Sequence, residues 1–311
     1  MVKREHSHKE PKMRDLTRRE ERLIEARLDI SQRVFGEQPK LYNHAVLCSV
    51  GLPYRDPGDD VRVFQRASGN VSLRMEAGSM PRPGGGWEDV GLPYGSKSRL
   101  LLLHLCSEAL FQQTPSLEVE HSFTSFARSI GLNTSGRSLK ALRQQIQRMS
   151  VVSMRLSKTY GDTVDVFQGS LFSRFQAQMP NDPDQLTFWT TNIEFSPEFY
   201  LSLKNNAVPL SKDALMALKH NARALDIYAW LAHRLWRVKP DKPVSLKWTT
   251  LRFQFGERNQ DMRSFKQRFN DALTQVLCVY PRARVEKIYG GVQLFHSPPP
   301  IPPRRYDRLI L

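Results

Sequence analysis

Residues 135–150 read SGRSLKALRQQIQRMS. Leu139, Leu142, Ile146 and Met149 recur at spacings of three, four and three, which places them on one face of a helix. Away from that seam stand Arg137, Lys140, Arg143, Gln144, Gln147 and Arg148, with no acidic residue among them. A solvated helix ordinarily mixes both signs of charge, so a face of cations and amides calls for a polyanion opposite it.

The neighbourhood extends the pattern. Residues 121–161 contain no Asp or Glu, yet add Arg128, Arg155 and Lys158 to the helix cations. Upstream, SKSRLLLLHLCSEALF (96–111) reads as a buried helix capped near Ser96, and SLEVE as a short strand. SFTSFARSIGL (122–132) reads as a compact helix with Phe123, Phe126 and Ile130 inward, stopped by Gly131. Downstream, VVSMRLSKTYGDTVDVFQGS reads as two strands around Tyr160-Gly161-Asp162. Helix, short helix, turn, basic helix, hairpin is the order of a winged helix.

The order recurs. NIEFSPEFYLSLKNN and SKDALMALK precede a long apolar helix, NARALDIYAWLAHRLWRV (221–238). SLKWTTLRFQFG (245–256) reads as a short helix ended by Gly256. DMRSFKQRFNDALTQVLCVY (261–280) is amphipathic, with Met262, Phe265, Phe269, Leu273 and Val276 inward. RARVEKIYGGVQLFHS (282–297) reads as a hairpin around Gly290-Gly291. The expected fold class is therefore α+β, two tandem winged-helix domains behind a charged N-terminal arm. Its expected boundaries are 1–40 for the arm, 41–192 and 193–298 for the domains, and 299–311 for a Pro-rich tail.

The flanks are less regular. In the arm, RDLTRREERLIEARLDI sets Leu16, Leu23, Ile24 and Leu28 near one side, compatible with either a docking helix or a solvated segment. AVLCSV (45–50) looks like a short apolar strand, and VRVFQRASGNVSLRM alternates on both sides of Ser68-Gly69-Asn70 as a hairpin would. PRPGGGW (81–87) is loop, and no Gly-Lys-Ser/Thr follows to make it a phosphate cradle. PPPIPPRR reads as an extended polyproline II spacer.

Composition narrows the function. Among 311 residues, 46 Lys and Arg outnumber 31 Asp and Glu, a net charge of +15 that favours nucleic acid first and an anionic membrane surface second. The longest apolar run, Leu100–Leu103, is far too short to span a bilayer, and MVKREHSHKEPKMRD has no apolar leader core, so no membrane association is expected. Cys48, Cys106 and Cys278 are far apart and match no metal or disulfide spacing, which suits a reducing cytoplasm.

Helices of this kind fit the major groove, where Arg suits guanine O6 and N7 and Gln suits adenine N6 and N7. The second basic helix offers Arg263, Lys266, Gln267, Arg268 and Asn270, with Arg282, Arg284, Lys287 and Tyr289 on the adjacent wing. Asp261 and Asp271 dilute its charge. RNA readers display aromatic platforms, whereas Tyr228, Trp230, Trp236, Phe265 and Phe269 fall at core spacing. Catalytic sets are missing. His6-Ser7-His8 lies in a charged arm, Asp59-Asp60 and Asp182/Asp184 lie in Pro-rich loops, and His104 and Cys106 sit two apart on a helix. The chain is expected to bind rather than catalyse, with no metal and no cofactor.

The ordered motifs VGLPYGSKSRLLLLHLCSEAL, SFTSFARSIGL, GRSLKALRQQIQRM, IEFSPEFYLSLK, ALDIYAWLAHRLWRV, LRFQFG and FKQRFNDALTQVLCVYPRARVE, with LFHSPPP after them, resemble plasmid-encoded RepA-type replication initiators over roughly residues 85–298. The resemblance implies a bacterial cytoplasmic protein built from two winged-helix domains that binds direct repeats in plasmid origin DNA. It further implies opening of an adjacent AT-rich stretch, recruitment of the host initiator and helicase, and, in related groups, dimerisation and repression of the protein's own gene. No residue here identifies a homodimer interface. A winged-helix transcriptional repressor without a replication role, and a nonspecific DNA-compacting protein, remain the alternative readings.

Overall fold

The computed structural model describes residues 16–302 apart from 34–37, 83, 119–121, 179–188 and 259. His6-Ser7-His8, Asp182/Asp184 and the end of the Pro-rich tail lie outside these residues. Within them the chain is a mixed α/β structure of ten α-helices and several small sheets.

Helix α1 (Arg18–Gln32) is followed by β1 (Lys40–His44), α2 (Ala45–Ser49), the hairpin β2 (Val63–Ser68) and β3 (Val71–Glu76), and the small hairpin β4 (Ser79–Pro81) and β5 (Trp87–Asp89). Next come α3 (Gly95–Phe111), β6 (Ser116–Glu118), α4 (Phe123–Ser129), α5 (Gly136–Val151), β7 (Ser153–Tyr160), β8 (Thr163–Ser170), β9 (Phe172–Gln178) and β10 (Trp189–Phe195). The remainder is α6 (Pro197–Asn205), β11 (Ala207–Ser211), α7 (Lys212–Leu218), α8 (Ala222–Arg234) with a 3-10 turn, β12 (Val244–Lys247), α9 (Trp248–Phe255), α10 (Met262–Val279), β13 (Val285–Ile288) and β14 (Gly291–Leu294).

Two apolar cores organise these elements. The first gathers Leu73, Met75, Phe126, Leu142, Ile146, Met149, Leu156 and Phe195, and also Phe199 and Leu203 of α6. The second gathers Leu215, Tyr228, Leu231, Leu251, Phe255, Phe265, Phe269, Val276 and Leu294, with Leu23 of α1 and Leu41 of β1. Helix α3 serves both: Leu100 and Leu103 enter the second core, Leu101, Leu102 and Leu105 the first. A helix apolar on all sides has nowhere to stand except between two cores.

Several local expectations change. AVLCSV forms helix α2, not a strand, because His44 caps it: its Nδ1 accepts the Val46 N–H at 3.2 Å. The stretch 245–256 is not one helix. Val244–Lys247 pairs antiparallel with β14, and the helix begins only at Trp248. Helix α3 starts at Gly95, so Ser96 is not its cap. The Tyr94 N–H and Ser98 Oγ instead donate to Gln145 Oε1 at 2.8 and 2.6 Å, tying α3 to α5. In the arm, the capping box of Thr17 and Glu20 starts α1, which packs on α7 and α10 through buried Leu23. The β13–β14 turn is Tyr289-Gly290 rather than Gly290-Gly291.

The hairpins also differ from each other. β7–β8 joins β2–β3 in a four-stranded sheet of order β2-β3-β7-β8, whereas β12, β14 and β13 make a separate three-stranded sheet in that order. β1 pairs with β11, bringing the start of the first half onto the second.

The halves are pinned by a buried ion pair. Arg99 of α3 meets Asp226 of α8 through Nε–Oδ1 at 2.6 Å and Nη2–Oδ2 at 2.7 Å. Gly51 must be glycine here, since a Cβ would lie 1.8 Å from Asp226 Oδ2.

Two predictions follow from this packing. Asp226→Ala strands a guanidinium in the interior and lowers unfolding free energy by about 3–5 kcal/mol in urea denaturation; an unchanged midpoint refutes the pairing. Burial, followed by Lys158, depresses the His44 pKa to about 4, and burial followed by Arg237 depresses that of His233 to about 3. The unfolded chain therefore binds the extra protons, so the stability is present above the ordinary value of 6.5 and drains as pH falls. At pH 5 the loss is roughly 2 kcal/mol per histidine. His44→Asn, which keeps a capping acceptor, is expected to remove about half of the combined pH dependence.

Candidate nucleic-acid interface

Helix α5 is placed by its own termini. Ser135 caps it by accepting the Ser138 N–H at 3.4 Å, and Gly131 makes the preceding turn at φ +78°, where a Cβ would also meet Met216 Sδ at 2.3 Å. Leu142, Ile146 and Met149 are buried as the spacing requires. Opposite them Arg137, Lys140 and Gln144 are exposed.

Arg128, at the end of α4, is exposed as well, whereas most of the other polar residues of this segment are half-buried or engaged. Arg143 is half-buried, with its guanidinium 5.2 Å from the Phe123 ring centre. Gln147 is half-buried. Arg148 is only 12% exposed and lies across the protein's own surface: Nη1 donates to Asp56 Oδ1 at 2.9 Å and to the Leu92 carbonyl at 3.0 Å, Nη2 reaches Asp59, and Tyr94 lies beneath. That bridge pulls the Asp56 carboxyl below its ordinary range despite the opposing effect of burial. Arg155 pairs with Glu76, which Arg74 also holds, and the Lys158 ammonium stands 4.5 Å over Tyr160. The exposed face is therefore narrower than the string of cations suggests. Helical phase does not separate them, since Lys140, Gln144 and Arg148 follow one another at four-residue spacing on one side; Arg148 is set apart by the carboxylates of Asp56 and Asp59 that meet it.

Helix α10 is capped by Asp261, which accepts the Ser264 N–H at 2.8 Å. Arg263, Gln267 and Arg268 are exposed; Lys266, over Trp248 at 5.8 Å, and Asn270 are half-buried. Arg268 is bridged to Glu257 at 3.2 Å. On the adjacent hairpin Arg282, Arg284 and Lys287 are exposed, Arg284 beside the Phe295 ring, and Tyr289 stands fully in solvent at the tip. Here Asp261 caps its own helix amides, which favour its ionised form, and Asp271 is exposed on the same helix, so both acids that dilute the charge in sequence remain as charges in the structure.

The two helices are joined by a basic seam that sequence reasoning missed. Lys219, in the loop between α7 and α8, donates to the Gly131 carbonyl at 2.5 Å, just ahead of α5. Beside it, burial and then the cations Arg22, Lys219, Arg19 and Lys97 hold the His220 pKa below its ordinary value. These cations come from α1, α3 and the α7–α8 loop, too far apart in sequence for any motif to join them. Among the described residues, no group of three His, Cys, Asp or Glu is placed to hold a metal, and no helix is long and apolar enough to cross a membrane.

A basic protein of two α/β units that share one central helix, with cationic helices on its surface, is the class that these features define. The family model described as plasmid encoded RepA protein matches residues 92–250. The chain belongs to that family, the initiator-type family its motifs resemble. Among curated proteins none matches it. A crystal structure of domains 2 and 3 of RctB is similar in fold, with a TM-score of 0.51 at 10% identity over 80% of this chain and 96% of that one. A second RctB domain 2–3 structure gives a TM-score of 0.45 at 12% identity, over 80% and 94%.

Substitutions separate the exposed face from the engaged one. Gln144→Ala is expected to cost about 1–3 kcal/mol at particular base positions, and Lys140→Ala to weaken all duplexes alike with a flatter salt dependence. Arg148→Ala is expected instead to lower the denaturation midpoint, because it frees Asp56 and Asp59. Footprints unchanged in both of the first two variants would make α5 scaffold only.

Proposed function

We propose that this protein is a plasmid replication initiator that binds repeated double-stranded sites at an origin through two winged-helix units. The observation that carries the reading is the acid-free exposed face of α5, Arg137, Lys140 and Gln144, in a chain of the RepA family. The second unit supports it: α8, β12, α9, α10, β13 and β14 follow in that order, and the sheet order β12-β14-β13 closes the hairpin against the strand that precedes the helix pair. In the first unit the corresponding strand β6 pairs with β10, and the hairpin pairs with β3, so its wing is part of a larger sheet. The boundaries 41–192 and 193–298 are part of this proposal, with β1 pairing with β11 of the second unit and α6 packing into the first core.

Two reading heads on one body gain from effective concentration, since the first contact holds the second head near its site. Heads on one side of a duplex engage half-sites about one helical turn, near 10 bp, apart. Bending costs of order 1–6 kcal/mol are within reach of such contacts and destabilise a neighbouring AT-rich tract. Chemistry on the DNA is not required, and the protein acts in the bacterial cytoplasm as a binder that recruits the host initiator and helicase. Self-association and repression of its own gene extend the same binding.

The test supplies the protein in trans to a plasmid whose only origin candidate is a direct-repeat array adjoining its gene. Replication of that plasmid is the expected outcome. Promoter silencing without replication would establish the repressor instead, and equal affinity for any duplex the compacting protein, since specific binders exceed random DNA by ~10³-fold or more.

A further inference from the structure

At the seam between the two units lies a cavity of about 300 Å³. Its walls come from five parts of the chain: Arg19 of α1, Tyr54 and Arg55 of the loop after α2, Arg223 at the start of α8, Glu257 of the loop between α9 and α10, and Arg268 of α10. We propose that this cavity seats a single backbone phosphate of the bound DNA, at the point where the duplex passes from one reading head to the other. The inference rests on the DNA-binding reading above and adds a site to it.

Charge is the first reason. Four arginines face two carboxylates, Glu257 and Asp271. Glu257 alone is shared by three of them, with Arg55 at 3.6 Å, Arg223 at 3.8 Å and Arg268 at 3.2 Å. One carboxylate cannot neutralise three guanidinium groups, so the site keeps a surplus of positive charge. His220, on the rim, lies in the same cationic field.

Unmet hydrogen bonding is the second. Arg223 is only 6% exposed, yet its Nε is buried without a hydrogen-bond partner, while the Tyr54 hydroxyl lies against the same guanidinium and interacts with it. That Nε can only donate, and Arg223 lines the cavity. Buried donors of this kind are rare and point to an acceptor that completes the site. Helix α8, thirteen residues long, begins at Ala222 in the same wall, so the positive end of its dipole faces the space as well. Guanidinium forks match phosphate oxygens in pairs, which a lone water does not.

Shape distinguishes a DNA phosphate from a free nucleotide. A nucleobase needs an aromatic or apolar slot, and the ring in the wall is Tyr54. That ring is already hemmed by Arg66 at 5.1 Å and by Arg99 and Arg223 at 4.9 Å each. No stacking face is left for a base, whereas a phosphate needs none. Position agrees: Arg268 belongs to the exposed side of α10, and Lys219, just before the α8 start, touches the turn that leads into α5.

The full-length chain is first used to select a preferred duplex from a random-sequence pool. Neutral methylphosphonates are then placed one at a time between the two half-sites of that duplex. With the unaltered protein, one position is expected to lose about tenfold in affinity. The double variant Arg19→Ala, Arg55→Ala is expected to bind the unmodified duplex more weakly, with its salt slope reduced by roughly one to two ions, and to lose nothing further at that one position. The Arg55 side chain is 68% exposed, so a denaturation midpoint close to that of the unaltered chain confirms folding. A selected duplex with no position where protein and phosphate changes are coupled would overturn the cradle and leave the DNA-binding reading standing. Thermal protection by ATP or inorganic pyrophosphate, without such coupling, would overturn it in favour of a free anion. A pool that yields no preferred duplex removes the specific-binding reading and the cradle together.

Discussion

Arg99 donates every one of its five N–H groups inside the protein: two to Asp226, two to the carbonyls of Pro53 and Gly95, and one to that of Leu52. A buried ion pair of this kind gives little net stability, because desolvation offsets most of the attraction. What it does impose is geometry. Helix α3 is held in register with α8 and with the loop that carries Tyr54, and each of those elements belongs to a different part of the chain. The relative position of α5 and α10 follows from that register. Gln145 ties α5 to α3 at 2.6 and 2.8 Å, while α10 packs directly on α8.

Much of the fold was legible. The 3.6-residue rhythm marked α5 and α10, and the inward residues Phe126, Leu142, Ile146, Met149, Phe265, Phe269 and Val276 are all buried. Alternation marked the β2–β3 and β7–β8 hairpins, whose pairing runs through their turns at Gly69-Asn70 and Gly161-Asp162. Failures came where local pattern carries too little information. A short run of four apolar residues at 45–48 fits a strand or a helix equally well, and the His44 side chain caps the helix that forms. Val244–Lys247 is a strand only because β14, more than forty residues later in sequence, lies alongside. That two hairpins would merge into one sheet of order β2-β3-β7-β8 was invisible to any short window.

The candidate interface shows the same division. Residue type and helical phase identified Arg137, Lys140 and Gln144 on α5, and Arg263 and Gln267 on α10, all of them exposed. Phase alone could not tell that Arg148 would meet Asp56, or Arg155 meet Glu76, since those acids lie about eighty to ninety residues earlier. An acid-free window in sequence is therefore not an acid-free surface. The converse holds at the seam, where Arg19, Arg55 and Arg223 belong to unremarkable stretches and become a cationic group only by folding.

The run Leu100–Leu103 divides its side chains between two apolar interiors. Exchange of one half between homologues by recombination would thus leave half a helix facing a surface it did not evolve with. Diversification of such a protein is expected to proceed by point changes on the outer faces of α5 and α10, with the whole body inherited as one block.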